Sequence, residues 1–167
     1  DLNINVNLPH NLSPLIYSVK LNKTYITKTL LDHKNIDVNK IDISNITPIF
    51  YAIKNNNIEC LNLLINKKAN LNYYDKMNNI QLINYVINNK NSTIINILLD
   101  NNINCNIYDR LLNLPINYAL INKLDYFIIK KMLLKTDNLN FQNIYGNTPL
   151  YYLIENYDWI DYKEILE

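Results

Sequence analysis

Apolar residues follow a helical spacing in short segments that come in pairs. Ser13-Pro14 precedes the first segment, and these residue types suit an N-cap and the first position of a helix. The pattern predicts two short antiparallel helices, followed over residues 37–45 by an outward finger that leads to the next pair. The predicted buried positions of the first pair are Leu15, Ile16 and Val19, then Ile26, Leu30 and Leu31.

One position near the start of each first helix, usually a proline, recurs at a nearly constant interval along the chain and serves as the first marker of a repeat. A second marker, an Asn-x-Asn or Asp-x-Asn motif, ends nine residues before each first marker. Two marks in one register indicate a repeat architecture in which each unit contacts its neighbours. The first markers are Pro14, Pro48, Gln81, Pro115 and Pro149, at intervals of 34, 33, 34 and 34 residues.

The second repeat carries the fullest motif. It contains Asp42, Thr47-Pro48-Ile49 and Ala52, then the segment 58–64 (IECLNLL) and the segment 69–72 (ANLN). This pattern resembles the ankyrin repeat, whose unit reads approximately D-x-x-G-x-T-P-L-H-x-A, then E-x-V-x-x-L-L, then G-A-D-V-N. The resemblance covers essentially the whole chain. It implies an all-α fold with short β-hairpin fingers, an ankyrin-repeat solenoid of stacked helix–turn–helix units.

The repeat register divides the chain into five units within a single array over residues 1–167. The last unit stops inside its second helix, and residues 1–5 match the end of a preceding unit. Terminal repeats usually carry a polar outer face, so we expect both ends to be truncated from a longer array. The predicted repeats are approximately 6–40, 41–74, 75–108, 109–142 and 143–167.

Several positions depart from the family motif. The finger turn requires a positive φ, which the family supplies with Gly. Asn stands there at Asn11, Asn45 and Asn78, whereas Leu112 predicts a differently shaped turn in repeat four. In repeat three, Ile80-Gln81 replaces Thr-Pro and Tyr85 replaces the small Ala. Recurrent aspartates at one repeat phase predict caps of the finger turns rather than acid–base chemistry. They are Asp42, Asp75 and Asp109.

Composition and charge narrow the function classes. The chain has 16 basic and 15 acidic residues, so it lacks the clustered positive charge that nucleic acid binding requires. No apolar run approaches the ~20 residues of a membrane span. The two cysteines, Cys60 and Cys105, fit small core residues rather than metal or disulfide partners. With one glycine and no catalytic motif, the sequence predicts no enzyme, cofactor, metal, nucleic acid or membrane partner.

The resemblance implies a partner-binding surface. In ankyrin arrays, the fingers and the exposed side of the first helices form a concave groove that contacts a partner protein. Tyr, Met, Arg and Leu at such a rim are residue types that anchor protein interfaces, although a compositional surplus of Tyr and Ile is an alternative explanation. By register, the predicted contact residues are Ile41, Ile43, Tyr74, Lys76, Met77, Tyr108, Arg110, Leu111, Ile144 and Tyr145.

Taken with the resemblance, the sequence predicts a monomeric, non-enzymatic protein–protein interaction scaffold or adaptor in the cytoplasm. The abundance of Asn and Ile is similar to that of ankyrin proteins from A/T-rich genomes such as amoebal giant viruses or poxviruses. That likeness implies a viral effector acting on proteins of the host cytoplasm. Two alternatives stay open: a regulatory or targeting arm of a larger enzyme or channel, and a structural, self-associating spacer.

Overall fold

The computed structural model describes residues 13–75 and 80–157. By internal contacts the chain divides into two compact units, Asp1–Asn78 and Asn79–Glu167. Over the described ranges it consists of nine α-helices and two strands of two residues each. The all-α repeat fold of the solenoid class that the sequence predicts is therefore confirmed.

Unit one contains two helix pairs. The first helices, α1 and α3, pack side by side, and so do the second helices, α2 and α4. Within each pair the first helix also packs on the second. The elements are α1 (Pro14–Lys20), α2 (Thr24–Leu31), α3 (Pro48–Lys54), α4 (Ile58–Asn66) and the strand β1 (Tyr74–Asp75).

Unit two repeats this arrangement. Its first helices form the row α5, α7 and α9, and its second helices α6 and α8 pack on each other. The elements are the strand β2 (Ile80–Gln81), then α5 (Leu82–Asn88), α6 (Ser92–Asp100), α7 (Pro115–Ile121), α8 (Tyr126–Leu133) and α9 (Pro149–Asn156).

The core lies between the two rows of helices in each unit. Ala52 and Ala119 are fully buried at the position where a large side chain would separate neighbouring helices. Cys60 and Cys105 are free and buried, which confirms their assignment to the core. Ile26, in contrast, is 49% exposed, so its predicted burial is wrong. Its counterpart in the next repeat, Cys60, is buried and lies against α2, where its Sγ donates to Oγ1 of Thr24 at 3.5 Å, whereas no second helix precedes α2 among the described residues.

The structure corrects the register of repeat three. Gln81 is the N-cap of α5, and Leu82 takes the place of the proline that begins the other first helices. Tyr85 therefore aligns with the tyrosines of its neighbours, and the buried Val86, not Tyr85, takes the place of the small Ala. The error arose because the stretch from Asp75 to Gln81 is one residue longer than its counterparts.

The Asn-x-Asn motif has a physical role in both units. Its first side chain accepts the amide two residues on, as Oδ1 of Asn70 does from Asn72 at 2.9 Å. Its last side chain reaches the next repeat: Oδ1 of Asn39 accepts the N–H of Asn70 at 2.7 Å. Oδ1 of Asn106 accepts the N–H of Asp137 at 2.8 Å in the same way. The motif thus ties successive repeats through backbone amides that would otherwise lack partners.

Candidate functional site

Each described finger is a tight turn built around one acceptor side chain. In repeat four, Oδ1 of Asp109 accepts the N–H groups of Leu111 and Asn113, both at 2.9 Å. In repeat two, Oδ1 of Asp42 accepts the amides at positions 44 and 46, at 2.8 and 3.0 Å. These contacts confirm for Asp42 and Asp109 the prediction that the recurrent aspartates cap the finger turns, whereas the side chain of Asp75 lies outside the part of the chain that the structure describes.

A residue with positive φ completes each described turn, whereas the predicted turn residues Asn11 and Asn78 lie outside the described residues. Asn45 and Gly146 adopt φ values of 56° and 78°, and Leu112 adopts 58°. The prediction of a differently shaped turn at Leu112 is therefore wrong. Because the two amide contacts of Asp109 enforce the shared geometry, the leucine takes a left-handed conformation that bulky residues avoid.

A tyrosine in the first helix donates a hydrogen bond to the second carboxylate oxygen of the same aspartate. The hydroxyl of Tyr118 donates to Oδ2 of Asp109, and Tyr51 donates to Oδ2 of Asp42 at 2.7 Å. Burial, followed by the hydrogen bond to the carboxylate, raises the pKa of both phenols to about 12. Sequence reasoning missed these tyrosines. Their signal is a Tyr nine residues after the Asp of the same repeat.

Repeat five replaces the aspartate with Asn143, which links neighbouring fingers. Its Oδ1 accepts the amides of Tyr145 and Asn147, both at 3.0 Å, so the turn is preserved. Its Nδ2 donates to Oδ1 of Asn113 at 2.9 Å and to the hydroxyl of Tyr152 at 2.8 Å. Asn143 and Asn113 are both buried, so these bonds fix the two fingers against each other.

Fingers four and five present adjacent apolar side chains to solvent. The N–H of Ile144 donates to the carbonyl oxygen of Leu111 at 3.1 Å, which joins the fingers through their backbones. Leu111 is 40% exposed, Ile144 53%, Tyr108 54% and Tyr145 68%. Arg110 is exposed in the same stretch. We call the surface formed by Tyr108, Arg110, Leu111, Ile144 and Tyr145 the two-finger surface.

Tyr108 is held at the base of this surface. Its ring stacks on that of Phe141, with centroids 5.4 Å apart and ring planes inclined by 19°. Its carbonyl oxygen accepts Nε2 of Gln81 at 3.2 Å. Phe141 was missed from the sequence because it precedes the turn motif. Its contact places part of the Tyr108 ring against protein, which restricts that side chain before any partner binds.

The remaining predicted contact residues lie elsewhere. In unit one, Ile43 is 71% exposed at the tip of its finger, and Ile41 is half-buried beside it. Tyr74 lies in β1, with its side chain outside the part of the chain that the structure describes. Lys76 and Met77 also lie outside the described residues. The structure therefore brings together five of the predicted residues, those of the two-finger surface.

The described residues offer little for metal or thiol chemistry. Across ranges 13–75 and 80–157, no three His, Cys, Asp or Glu side chains form a group able to hold a metal ion. Burial raises the pKa of the Cys105 thiol to about 11, which suppresses its thiolate form near neutral pH. Of the helices described, none is both long and apolar enough to cross a bilayer. The fingers of unit two expose mainly apolar and aromatic side chains.

Paired short helices, stacked in rows and joined by side-chain-capped fingers, define an all-α repeat protein. A family model of ankyrin repeats, in three copies, matches residues 1–75. Residues 1–75 therefore carry ankyrin repeats, and this repeat is a protein–protein interaction module. None of the curated proteins matches the chain.

Proposed function

We propose that this chain is a non-enzymatic adaptor whose partner protein contacts the two-finger surface. The observation that carries the proposal is the grouping of four large apolar side chains, each at least 40% exposed, on two fingers that a backbone hydrogen bond joins. Tyr and Arg are enriched among the residues that contribute most to binding, and here both types occur together.

The rigidity of the fingers supports this function. Binding normally costs free energy because loops and side chains become ordered at the interface. In finger four, Asp109 is held by two amides and a phenol; in finger five, Asn143 bonds to two amides, to Asn113 and to Tyr152. The backbone that carries the apolar side chains is thus ordered in the free protein, and the cost on binding is reduced.

The test compares variants of the intact chain as bait in extracts of cells that contain the protein. Ile144→Ala and Tyr145→Ala together remove the two side chains at the tip of finger five. Phe127→Ala is the matched control, since Phe127 is 63% exposed on the outer side of α8 and Tyr145 is 68% exposed. We expect a protein captured by the parent and the control to be lost from the double variant.

Loss of one side chain at the centre of such a surface typically weakens binding by ~2 kcal/mol or more, about 30-fold. Titration calorimetry with the identified protein measures that loss directly, and circular dichroism verifies that all three chains fold. Equal capture by the double variant and the parent would contradict the proposal. Loss of capture in the Phe127→Ala chain alone would place the interface on the outer face of α8 instead.

A further inference from the structure

We infer that the two-finger surface binds a linear segment of its partner in which apolar side chains stand beside a carboxylate. This inference rests on the proposed function and names the chemistry of its ligand. It follows from the charges of the two fingers and from the arrangement of their side chains.

Asp109 and Arg110 are the only charged residues in fingers 107–113 and 141–147. Asp109 accepts hydrogen bonds from two amides and from Tyr118, so both of its oxygens are occupied inside the fold. Arg110 is exposed, and the ion pairs among the described residues are Lys67 with Asp32 and Lys131 with Asp100. The surface therefore presents one guanidinium without a carboxylate of its own.

An arginine in this position favours a carboxylate partner. Its planar guanidinium can donate two parallel hydrogen bonds to one carboxylate, and the surrounding apolar side chains lower the local dielectric when a ligand covers them. In repeat five the position of Arg110 is occupied by Ile144, so the next finger offers an apolar contact instead. The ligand would thus meet one cation and one apolar site in successive repeats.

The arrangement of side chains on the two-finger surface favours a linear peptide segment over a small ligand that would require a deep pocket. Leu111 and Ile144 are adjacent through their backbone hydrogen bond, and Tyr145 stands next to Ile144. Exposed side chains on successive turns form a row, and an extended chain can place alternate side chains along such a row.

The experiment is a selection of random peptides displayed on phage against the intact chain and its Arg110→Glu variant. Arg110 is exposed, so this substitution leaves the core untouched. From the parent we expect peptides with aromatic or aliphatic residues beside Asp or Glu. From the variant we expect Lys or Arg in place of the acid. For one selected peptide, fluorescence anisotropy should show an affinity loss of about tenfold in Arg110→Gln and a smaller loss in Arg110→Lys.

Selected peptides without an acidic bias, or the same peptides from both chains, would overturn the inference, as would the absence of any enriched peptide. These results leave the proposed function intact if Ile144→Ala with Tyr145→Ala still abolishes capture of a protein from extract. If that double variant retains both protein capture and peptide binding, the proposed surface itself is wrong. A second check replaces the acid of a selected peptide by its amide, which should weaken binding to the parent but not to Arg110→Gln.

Discussion

The hydroxyl of Tyr51 donates a 2.7 Å hydrogen bond to Oδ2 of Asp42, nine residues earlier, and ties a first helix to the finger that precedes it. The other oxygen of Asp42 holds two amides of the turn. One carboxylate therefore links helix and finger, and Tyr118 with Asp109 forms the same link in unit two. The exposed tips depend on this internal contact for their shape.

Removing the phenol should weaken the repeat. We expect Tyr51→Phe and Tyr118→Phe each to lower the free energy of unfolding by ~1.5–2 kcal/mol, because a hydrogen bond to a charged group is lost while the carboxylate stays. Urea unfolding followed by circular dichroism measures the change. Tyr25→Phe is the control, since Tyr25 is 84% exposed, and should lie within ~0.5 kcal/mol of the parent. Similar effects in all three variants would contradict a special role for the bond.

The same bonds predict a loss of stability in alkali. The pKa of each phenol rises from 10.0 to about 12 on folding, so folding favours the neutral form. The contribution is complete below pH ~10, the value of an unfolded tyrosine, and is lost as pH rises from ~10 towards ~12. We expect the urea midpoint of the parent to approach that of the Tyr51→Phe, Tyr118→Phe double variant across this range. A constant difference between the two midpoints would refute the linkage.

We expect position 143 not to tolerate aspartate, although the family motif carries Asp there. An Asp at position 143 keeps the acceptor of the turn but places a carboxylate oxygen 2.9 Å from Oδ1 of Asn113. Because the site is buried, we expect Asn143→Asp to destabilise the chain by ~2–3 kcal/mol. Asn138→Asp is the control, since its exposed side chain only accepts the amide of Asn140. Thermal unfolding of the two variants decides, and equal midpoints would refute the role of Nδ2.

We expect substitutions at the left-handed turn residues of two adjacent repeats, Leu112 and Gly146, to change the free energy of unfolding in opposite directions. Leu112→Asn should raise the free energy of unfolding by ~0.5–1 kcal/mol, because asparagine tolerates φ of 58° better than leucine. Gly146→Ala should lower it by ~1 kcal/mol through the backbone alone, since a Cβ at Gly146 would meet no atom within 4 Å. Urea titrations measure both changes. Destabilisation by Leu112→Asn would show that packing of the leucine outweighs its strain.

The thiols should report on the two units separately. The pKa of Cys105 rises from 9.0 to about 11, so its thiolate is about 100-fold scarcer at pH ~8 than in the unfolded chain. With Cys60→Ala as background, alkylation of Cys105 should be at least ~100-fold slower in the folded protein. The Cys105→Ala chain then follows unit one through the buried Cys60. Comparable rates in folded and unfolded protein would mean that unit two opens readily.

Much of the site was visible in the residue pattern, because turn chemistry is local. Asp42 and Asp109 lie within four residues of the amides that they cap, and Ile43 and Tyr145 occupy tip positions that the turn leaves in solvent. The tyrosines of the first helices were not recognised, since a Tyr on an apolar helix face also fits a core position. Only the fold shows that Tyr51 turns its hydroxyl to the finger.

The sequence by itself determined the repeat period, the helix pairs and the finger turns, because each depends on spacing and on residues close in the chain. The tertiary structure decided the rest. It placed Val86, not Tyr85, at the small core position and showed that the contacts of Asp109 hold Leu112 in a left-handed turn, because backbone geometry outweighs residue preference at these positions. It also joined Ile144 to Leu111, residues in successive repeats whose contact forms only when the repeats stack.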